Sequence, residues 1–275
     1  MFKRQTEGSV VCPYCGKLVG VNDKECWNCG KRNPGMWGFA PLLRRFGYNL
    51  GFVPIVTWVC AGLFIATLLY DPHGIRSGGL SLIQPSSVSL FTFGASGSIP
   101  FFEAGRWWTL LSAGWLHGGV LHILFNMLWV RQLAPATSEL YGISRTVIIY
   151  TVSSVAGFLL SSFSGLIIGR NLTIGASAAI FGLLGALVVY GKRGGSQLVS
   201  KQAMTYAAIL FIFGFIFPGV DNAAHLGGFL GGFAIAWMLN PLQQERVEHF
   251  IAAVACLVLT ALSILVSFFQ TPVFY

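Results

Sequence analysis

Seven apolar runs dominate this 275-residue chain, and each is near the length that crosses the hydrocarbon core of a bilayer. The runs cover residues 52–70, 119–134, 145–168, 177–191, 203–218, 223–240 and 249–270. Only 9% of the residues are charged, which is too few for an ordinary soluble surface. The sequence therefore predicts an all-α polytopic membrane protein.

The formal net charge of +8 raises the question of nucleic-acid binding, but the basic residues are distributed as in a membrane protein. With a cytoplasmic N-terminus, 14 of the 17 basic residues lie on the cytoplasmic side, and only Arg76, Arg106 and Arg170 lie outside. This asymmetry follows the positive-inside rule. We therefore expect a cytoplasmic N-terminus, a C-terminus on the outer side and no nucleic-acid partner.

Residues 1–35 form a separate module with two Cys-x-x-Cys motifs, "CPYCG" and "CWNCG". The thiols of Cys12, Cys15, Cys26 and Cys29 can surround one Zn²⁺ ion tetrahedrally. The alternative, two disulfide bonds, is disfavoured because thiols stay reduced on the cytoplasmic side. A closed four-cysteine site leaves no ligand position for water, so this predicted zinc ribbon has a structural role and no catalytic one.

The remaining chain divides into a linker with an interfacial anchor at residues 36–51 and a membrane domain at residues 52–270. The membrane domain has a core at 52–240 and an extra span at 249–270. Its long outer segment, residues 71–118, has no clear secondary-structure pattern, and its paired Trp107 and Trp108 indicate an element bound at the membrane interface.

Few strongly polar side chains lie inside the apolar runs, which makes each of them a candidate functional residue. His117, His122 and Asn126 open the second run, Ser177 opens the fourth and His225 opens the sixth. Even-numbered runs all begin at the outer face, so His122, Ser177 and His225 are expected at similar depth. His122 and Asn126 are four residues apart and share one helical face.

Small residues predict close contact between the fourth and sixth runs. They are Ala178, Gly182 and Gly185 in the fourth run and Gly228 and Gly232 in the sixth. Backbone contact there brings Ser177 and His225 within hydrogen-bonding reach. The fourth run is short, about 22 Å, so its first residue should lie below the outer membrane surface.

A submerged hydroxyl beside an imidazole and water predicts hydrolysis. His225 is the expected general base for Ser177, and the Ser177 backbone N–H with the His122 and Asn126 side chains can stabilise an oxyanion. Asp221 precedes His225 by four residues and is a possible third member, but its position in a turn favours a Ser-His dyad.

Other nucleophiles and chemistries fit the residues less well. Ser96 in "FGASGS" is the competing serine, but its glycines and Pro100 predict a flexible loop. A metalloprotease needs a His-Glu-x-x-His motif, whereas His117 and His122 are five residues apart with no glutamate between them. An aspartyl protease needs two intramembrane carboxylates, and the acidic residues near the runs lie in loops or at span ends. A transporter would place polar groups in paired repeats, which the sequence lacks.

The polar motifs resemble those of the rhomboid family of intramembrane serine proteases over roughly residues 52–240. "HGGVLHILFNM" is similar to the family's His-x4-His-x3-Asn element, "GASAAIFG" to its nucleophile motif and "AHLGGFLGG" to its Ala-His-x-x-Gly-x-x-x-Gly element. The resemblance implies a six-helix bundle with an added seventh span. It also implies Ser177 as nucleophile, His225 as base, and His122 and Asn126 in the oxyanion hole.

The resemblance assigns structural roles to further residues near the site, namely His117, Gly175, Phe181, Gly228 and Gly232. Phe181 falls where the family packs an aromatic ring beneath the catalytic histidine. Two positions depart from the family pattern. Ala178 follows the serine where the family has glycine, and Thr109 follows Trp108 where the family has arginine, which leaves the anchoring of the outer segment open.

The implied function is a serine endopeptidase that cleaves single-span membrane proteins near the outer interface, at a small residue in an easily unwound helix. The alternative is a catalytically silent rhomboid-like protein that binds membrane helices. In that case the zinc ribbon recruits a cytoplasmic protein partner. In either case membrane lipid surrounds the chain.

Overall fold

The computed structural model describes residues 4–41, 51–78, 82–217 and 219–270. The N-terminal part contains strands β1 (Ser9–Val11) and β2 (Leu18–Gly20). The elements that follow are α1 (Phe52–Tyr70), β3 (Arg76–Ser77), β4 (Ile83–Gln84), α2 (Ser87–Phe93), α3 (Thr109–Ser112), α4 (Val120–Tyr141), α5 (Ile143–Ile168), α6 (Ser177–Arg193), α7 (Gln197–Ile216), α8 (Asn222–Met238) and α9 (Val247–Phe269). Each of the seven apolar runs lies on one of these helices. The predicted all-α membrane fold behind a small cysteine-rich module is therefore confirmed.

Among the described residues, four helices are long and apolar enough to cross a bilayer, namely α1, α5, α7 and α9. A fifth span is formed if the segment Thr109–Trp115 and α4 are taken together, a pair bent by 95°. Helices α6 and α8 have 17 residues each, about 26 Å of helix, and so fall short of a ~30 Å core.

The N-terminal module has a hydrophobic core of its own. Strands β1 and β2 pair antiparallel, with Val10 opposite Val19. The buried core residues are Val10, Cys12, Val19, Val21, Cys26 and Ala40, with Met36 packed against them. Met36 and Ala40 fall in the stretch that the sequence assigns to the linker, so the packed part continues past residue 35. The rest of the predicted anchor, including Arg44 and Arg45, lies outside the described residues.

This module contacts the end of the bundle where α8 is followed by α9. The ammonium group of Lys31 is 3.8 Å from the carboxylate of Glu248, and the Gln244 side chain lies against Gly16. Because both partners of the ion pair are more than half exposed, this contact contributes little stability.

The outer segment between α1 and α4 is more regular than the sequence indicates. It contains α2 and α3, a π-helical turn at Ile99–Glu103 and a 3-10 turn at Ala113–Trp115. A bend of 95° follows the last of these turns before α4 begins. The segment therefore forms a packed cap on the bundle.

Arg106 anchors this cap to the last helix. Its buried guanidinium donates hydrogen bonds to the carbonyls of Phe91 and Ser267, at 2.6 and 2.7 Å, and burial lowers its pKa. The Trp108 indole N–H also donates to the Ser267 hydroxyl, at 3.0 Å. Arg106 therefore supplies an anchoring guanidinium two residues before Trp108, while Thr109 occupies the position where the family pattern has arginine.

The expectation that Ser96 lies in a flexible loop is wrong. Ser96 is fully buried, and its backbone pairs with Thr173 through hydrogen bonds of 3.0 and 2.8 Å. Gly94 and Gly97 lie on either side of Ser96 with φ values of +103° and +113°, and the turns at these glycines allow the Ser96 backbone to pair with that of Thr173. Ser96 thus ties the outer segment to the strand-like stretch before α6.

Helix α6 lies at the centre of the bundle, with 13 of its 17 residues buried. Its small residues face those of α8 as the sequence predicts. A Cβ added at Gly228 would lie 2.1 Å from the Ala178 carbonyl oxygen, and one added at Gly232 would lie 2.2 Å from that of Gly182. The two helices therefore touch through their backbones, which only glycine permits at these points.

Candidate functional site

The close packing of α6 and α8 brings a serine and a histidine together. Ser177 is the first residue of α6, and His225 lies in the first turn of α8. The His225 Nε2 and Ser177 Oγ atoms are 2.9 Å apart, which is hydrogen-bonding distance. The histidine is only 6% exposed, whereas the serine is half-buried.

The His225 ring is held by an aromatic contact. Phe181, one turn after Ser177 on α6, stacks on the imidazole with ring centres 4.3 Å apart and planes 16° apart. The imidazole Nδ1 has no hydrogen-bond partner among the described residues. The Asp221 carboxylate instead accepts the Ala224 N–H at 2.9 Å and caps α8. Ser177 and His225 therefore form a hydrogen-bonded pair with no third partner on Nδ1 among the described residues, while Phe181 packs on the face of the ring.

Two further polar side chains surround Gly175, just before the serine. A Cβ at Gly175 would lie 2.6 Å from His122 Nε2 and 3.7 Å from Asn126 Nδ2. His122 Nδ1 accepts the N–H of Gly118 at 3.3 Å, so the ring proton of the neutral imidazole lies on Nε2, which faces Gly175. The Asn126 amide donates to the His122 carbonyl at 3.0 Å and keeps a second N–H. His117 is buried with its ring edge-on to that of His122, 5.2 Å between centres.

A hydrogen-bond chain that the sequence did not indicate joins the loops in front of α6 and α8. The Asn171 side chain donates to the Ser161 hydroxyl at 2.9 Å, and that hydroxyl donates to the Asp221 carboxylate. Asn171 also accepts the Ser98 N–H at 2.6 Å. The starts of the two site helices are thereby tied together. These residues come from four separate segments and have no common spacing, so the sequence carried no signal for their contact.

The four cysteines of the N-terminal module converge. Their sulfur atoms all lie within 4.8 Å of one another, with 3.9 Å between Cys12 and Cys29 and 3.6 Å between Cys15 and Cys26. A tetrahedral zinc ion with Zn–S bonds of about 2.3 Å requires sulfur atoms about 3.8 Å apart, which these distances match. All six cysteines of the chain are free thiols. The cluster can therefore hold a metal ion.

Backbone geometry supports this cluster. Gly16 and Gly30 follow the two motifs with φ values of +75° and +67°, and each donates its N–H to the first cysteine carbonyl of its motif at 2.9 Å. Burial acts to raise the pKa of Cys15, but hydrogen bonds from the Lys17 backbone and the Asn28 side chain outweigh it and lower that pKa to about 7, whereas burial raises the pKa of the neighbouring Cys12 thiol. The turn after the first motif thus directs the Lys17 N–H toward the Cys15 sulfur. Such hydrogen bonds stabilise the thiolate form, which is the form that binds a metal.

Comparison with known proteins relates the membrane part of the chain to one family. A family model described as "Rhomboid domain" matches residues 104–242. RHOMBOID-like protein 4 of Arabidopsis thaliana is 34% identical over 165 residues, which are 58% of this chain and 40% of that protein. The rhomboid protease GluP of Bacillus subtilis is 32% identical over 158 residues, 56% of this chain and 30% of GluP.

Coverage of the relatives varies. The chain covers between 40% and 56% of the length of six Arabidopsis relatives. It covers 92% of the Bacillus subtilis rhomboid protein YdcA, to which it is 31% identical over 199 residues, 70% of this chain. The region matched by the family model includes the helices that carry Ser177, His225, His122 and Asn126. The chain belongs to the rhomboid family.

Proposed function

We propose that this chain is an intramembrane serine endopeptidase that hydrolyses peptide bonds in or near transmembrane segments of membrane proteins. The observation that carries the proposal is the 2.9 Å contact between Ser177 Oγ and His225 Nε2 at the starts of two packed helices. Similarity to GluP, which is named a rhomboid protease, supports the same chemistry.

His225 is the general base in this mechanism. Its Nε2 takes the Ser177 hydroxyl proton as Oγ bonds to the carbonyl carbon of the scissile peptide. The imidazolium then donates the proton to the departing amide nitrogen, which leaves an acyl-enzyme ester. Water that is deprotonated by the same nitrogen hydrolyses the ester and restores Ser177. Stacking on Phe181 keeps the ring aligned throughout, since Nδ1 makes no hydrogen bond among the described residues.

Three donors stabilise the oxyanion that forms during each step. The Ser177 backbone N–H lies in the first turn of α6, where it has no intrahelical acceptor. His122 contributes its Nε2–H, and Asn126 contributes the second N–H of its amide. Removing one such donor costs about 10²- to 10³-fold in kcat in serine hydrolases.

The depth of the site indicates its substrates. Because α6 is about 26 Å long, a helix that reaches the cytoplasmic surface has Ser177 below the outer surface. A peptide bond that meets Ser177 there belongs to a membrane segment that unwinds locally. We propose single-span proteins as substrates, cut at a small residue, with the N-terminus cytoplasmic, the site open to the outer face and the C-terminus outside.

We also propose that the metal held by Cys12, Cys15, Cys26 and Cys29 is Zn²⁺. The support is the all-sulfur donor set with tetrahedral spacing. When bound, the ion supplies structure alone, because four cysteines fill its coordination sphere. The ribbon it organises is free to bind a cytoplasmic protein partner.

Cleavage of a model single-span substrate and labelling by a fluorophosphonate probe test the protease proposal. The full chain should do both, Ser177→Ala should abolish both, and His225→Ala should lower the cleavage rate at least about 10³-fold. Ser138→Ala is the matched control, because that exposed hydroxyl donates to the Pro135 carbonyl of its own helix, far along α4 from the site.

Two outcomes decide between the alternatives. Cleavage that persists in Ser177→Ala and is lost in Ser96→Ala would move the nucleophile to the competing serine. The catalytically silent alternative would be established if the wild-type chain neither reacted with the probe nor cleaved the substrate. Cooperative thermal unfolding of wild type at the same temperature as Ser177→Ala would show that the wild-type sample is folded.

A further inference from the structure

A groove between α6 and α7 lies at the end of the bundle away from Ser177. Its volume is about 700 Å³, and α6 contributes Val188, Gly191 and Lys192 to its wall. These positions are 11 to 15 residues beyond Ser177, which corresponds to about 16–22 Å along the helix. The groove is therefore separate from the candidate active site.

The groove is charged at one end and more apolar at the other. Lys192, Gln197 and Lys201 line the end near the start of α7, and the exposed side chains of Met204, Thr205 and Ala208 line it further along that helix. Gln197 to Ala208 spans about 16 Å of helix, close to half the ~30 Å hydrocarbon core of a bilayer. The groove thus has the depth and the polarity gradient of one membrane leaflet.

The mouth of the groove is positively charged. Lys192 and Lys201 are both exposed, no acidic residue is among the lining residues, and neither lysine is in an ion pair within the part of the chain that the structure describes. The Lys192 ammonium group also lies over the Phe233 ring of α8, at 5.3 Å. An anion that enters here meets no competing carboxylate.

We propose that this groove binds an anionic phospholipid from the surrounding leaflet. Its phosphate lies beside Lys192 and Lys201, and one acyl chain follows Met204 and Ala208. Basic recesses between helices at the cytoplasmic surface suit such headgroups. A soluble phosphate would satisfy the two lysines but leave the apolar half of the groove unfilled. The proposal depends on membrane insertion and is independent of protease activity.

Native mass spectrometry of the full chain, released from nanodiscs that contain phosphatidylcholine and phosphatidylglycerol, tests the proposal. Wild type should retain phosphatidylglycerol in preference to phosphatidylcholine. Lys192→Gln/Lys201→Gln should lower that preference by about 30-fold, or about 2 kcal/mol at 1.4 kcal/mol per factor of ten. Lys17→Gln/Lys24→Gln removes the same charge from the ribbon and should keep the preference. Ala208→Phe should weaken retention of both lipids by filling the apolar end.

Three results would overturn the proposal. They are equal retention of the two lipids by wild type, an unchanged preference in the double groove variant, and saturable binding of inorganic phosphate that phosphatidylglycerol does not displace. Fluorophosphonate labelling of each variant is measured in parallel. It should match wild type, so failure of the lipid site is distinguishable from failure of the protease proposal.

Discussion

Gly175 sets the space beside the candidate nucleophile. Its φ of +118° lies in the region that glycine tolerates, and this turn leads the chain into α6 two residues before Ser177. The residue is buried, and the imidazole of His122 occupies the space where a side chain would be. The absence of a side chain at Gly175 therefore allows His122, the proposed oxyanion donor, to lie against the backbone two residues before Ser177.

Gly175→Ala should lower kcat/KM by about 10²- to 10³-fold, because the new Cβ would lie 2.6 Å from His122 Nε2 and push that donor away. Gly169→Ala is the control: its φ of +121° is likewise unfavourable for alanine, with no atom within 4 Å of the new methyl. The measurement is kcat/KM for substrate cleavage by both variants, compared at equal concentrations of folded protein. Equal losses in the two would show that strain, and not displacement of His122, is the cause.

At the scale of helices, the site is built where α5, α6 and α8 meet. Ala178 replaces the glycine that the family pattern has after the serine, and Gly157 of α5 leaves room for its methyl group. A Cβ at Gly157 would lie 2.6 Å from the Ala178 Cβ and 2.6 Å from the Ala224 carbonyl oxygen. The extra methyl is therefore accommodated by a glycine on the neighbouring helix.

Gly157→Ala should destabilise the bundle by about 1–3 kcal/mol through overpacking. Ala178→Gly should restore part of this loss, because it removes one of the two clashes and leaves the one with Ala224. Thermal unfolding of the single and double variants in detergent measures the coupling. Gly62→Ala on α1, where nothing lies within 4 Å of the added Cβ, should not destabilise the bundle and should stabilise it by up to about 1 kcal/mol through helix propensity. Strictly additive effects of the first two substitutions would contradict the proposed accommodation.

The helical part of the site was predictable, and its loop contacts were not. The contact between Ser177 and His225 follows from the length of the apolar runs, the alternating direction of successive spans and the spacing of glycines. Each of these is a local property of the sequence. Asn171 and Ser161 meet only because folded loops bring them together, and no local pattern encodes that. The glycines and Pro100 around Ser96 predict a flexible loop, and they carry no signal for its pairing with Thr173, which lies far along the sequence.

At the scale of the whole molecule, two chemically separate centres share one chain. The cysteine cluster and the Ser-His pair have no residue in common, and the exposed Lys31–Glu248 pair at 3.8 Å is a weak link between their elements. Among its described residues, the N-terminal module has a hydrophobic core of six buried side chains, which is too small to fold without a further source of stability. Metal binding supplies that stability in small modules of this kind.

Removal of the metal should therefore unfold the ribbon and leave the protease chemistry intact. A strong chelator should release one zinc ion per chain and make the peptide bonds after the exposed Lys17 and Lys24 cleavable by trypsin, because the backbone around them unfolds. Fluorophosphonate labelling of Ser177 should continue at its original rate, because no cysteine of the cluster contacts Ser177 or His225. Cys12→Ser should lower the zinc content, and Cys256→Ser, a cysteine on α9 outside the cluster, should not. Elemental analysis, limited proteolysis and probe labelling on the same samples give the three readings. Labelling that disappears with the chelator and returns with added zinc would show instead that the two centres are coupled through the loop between α8 and α9.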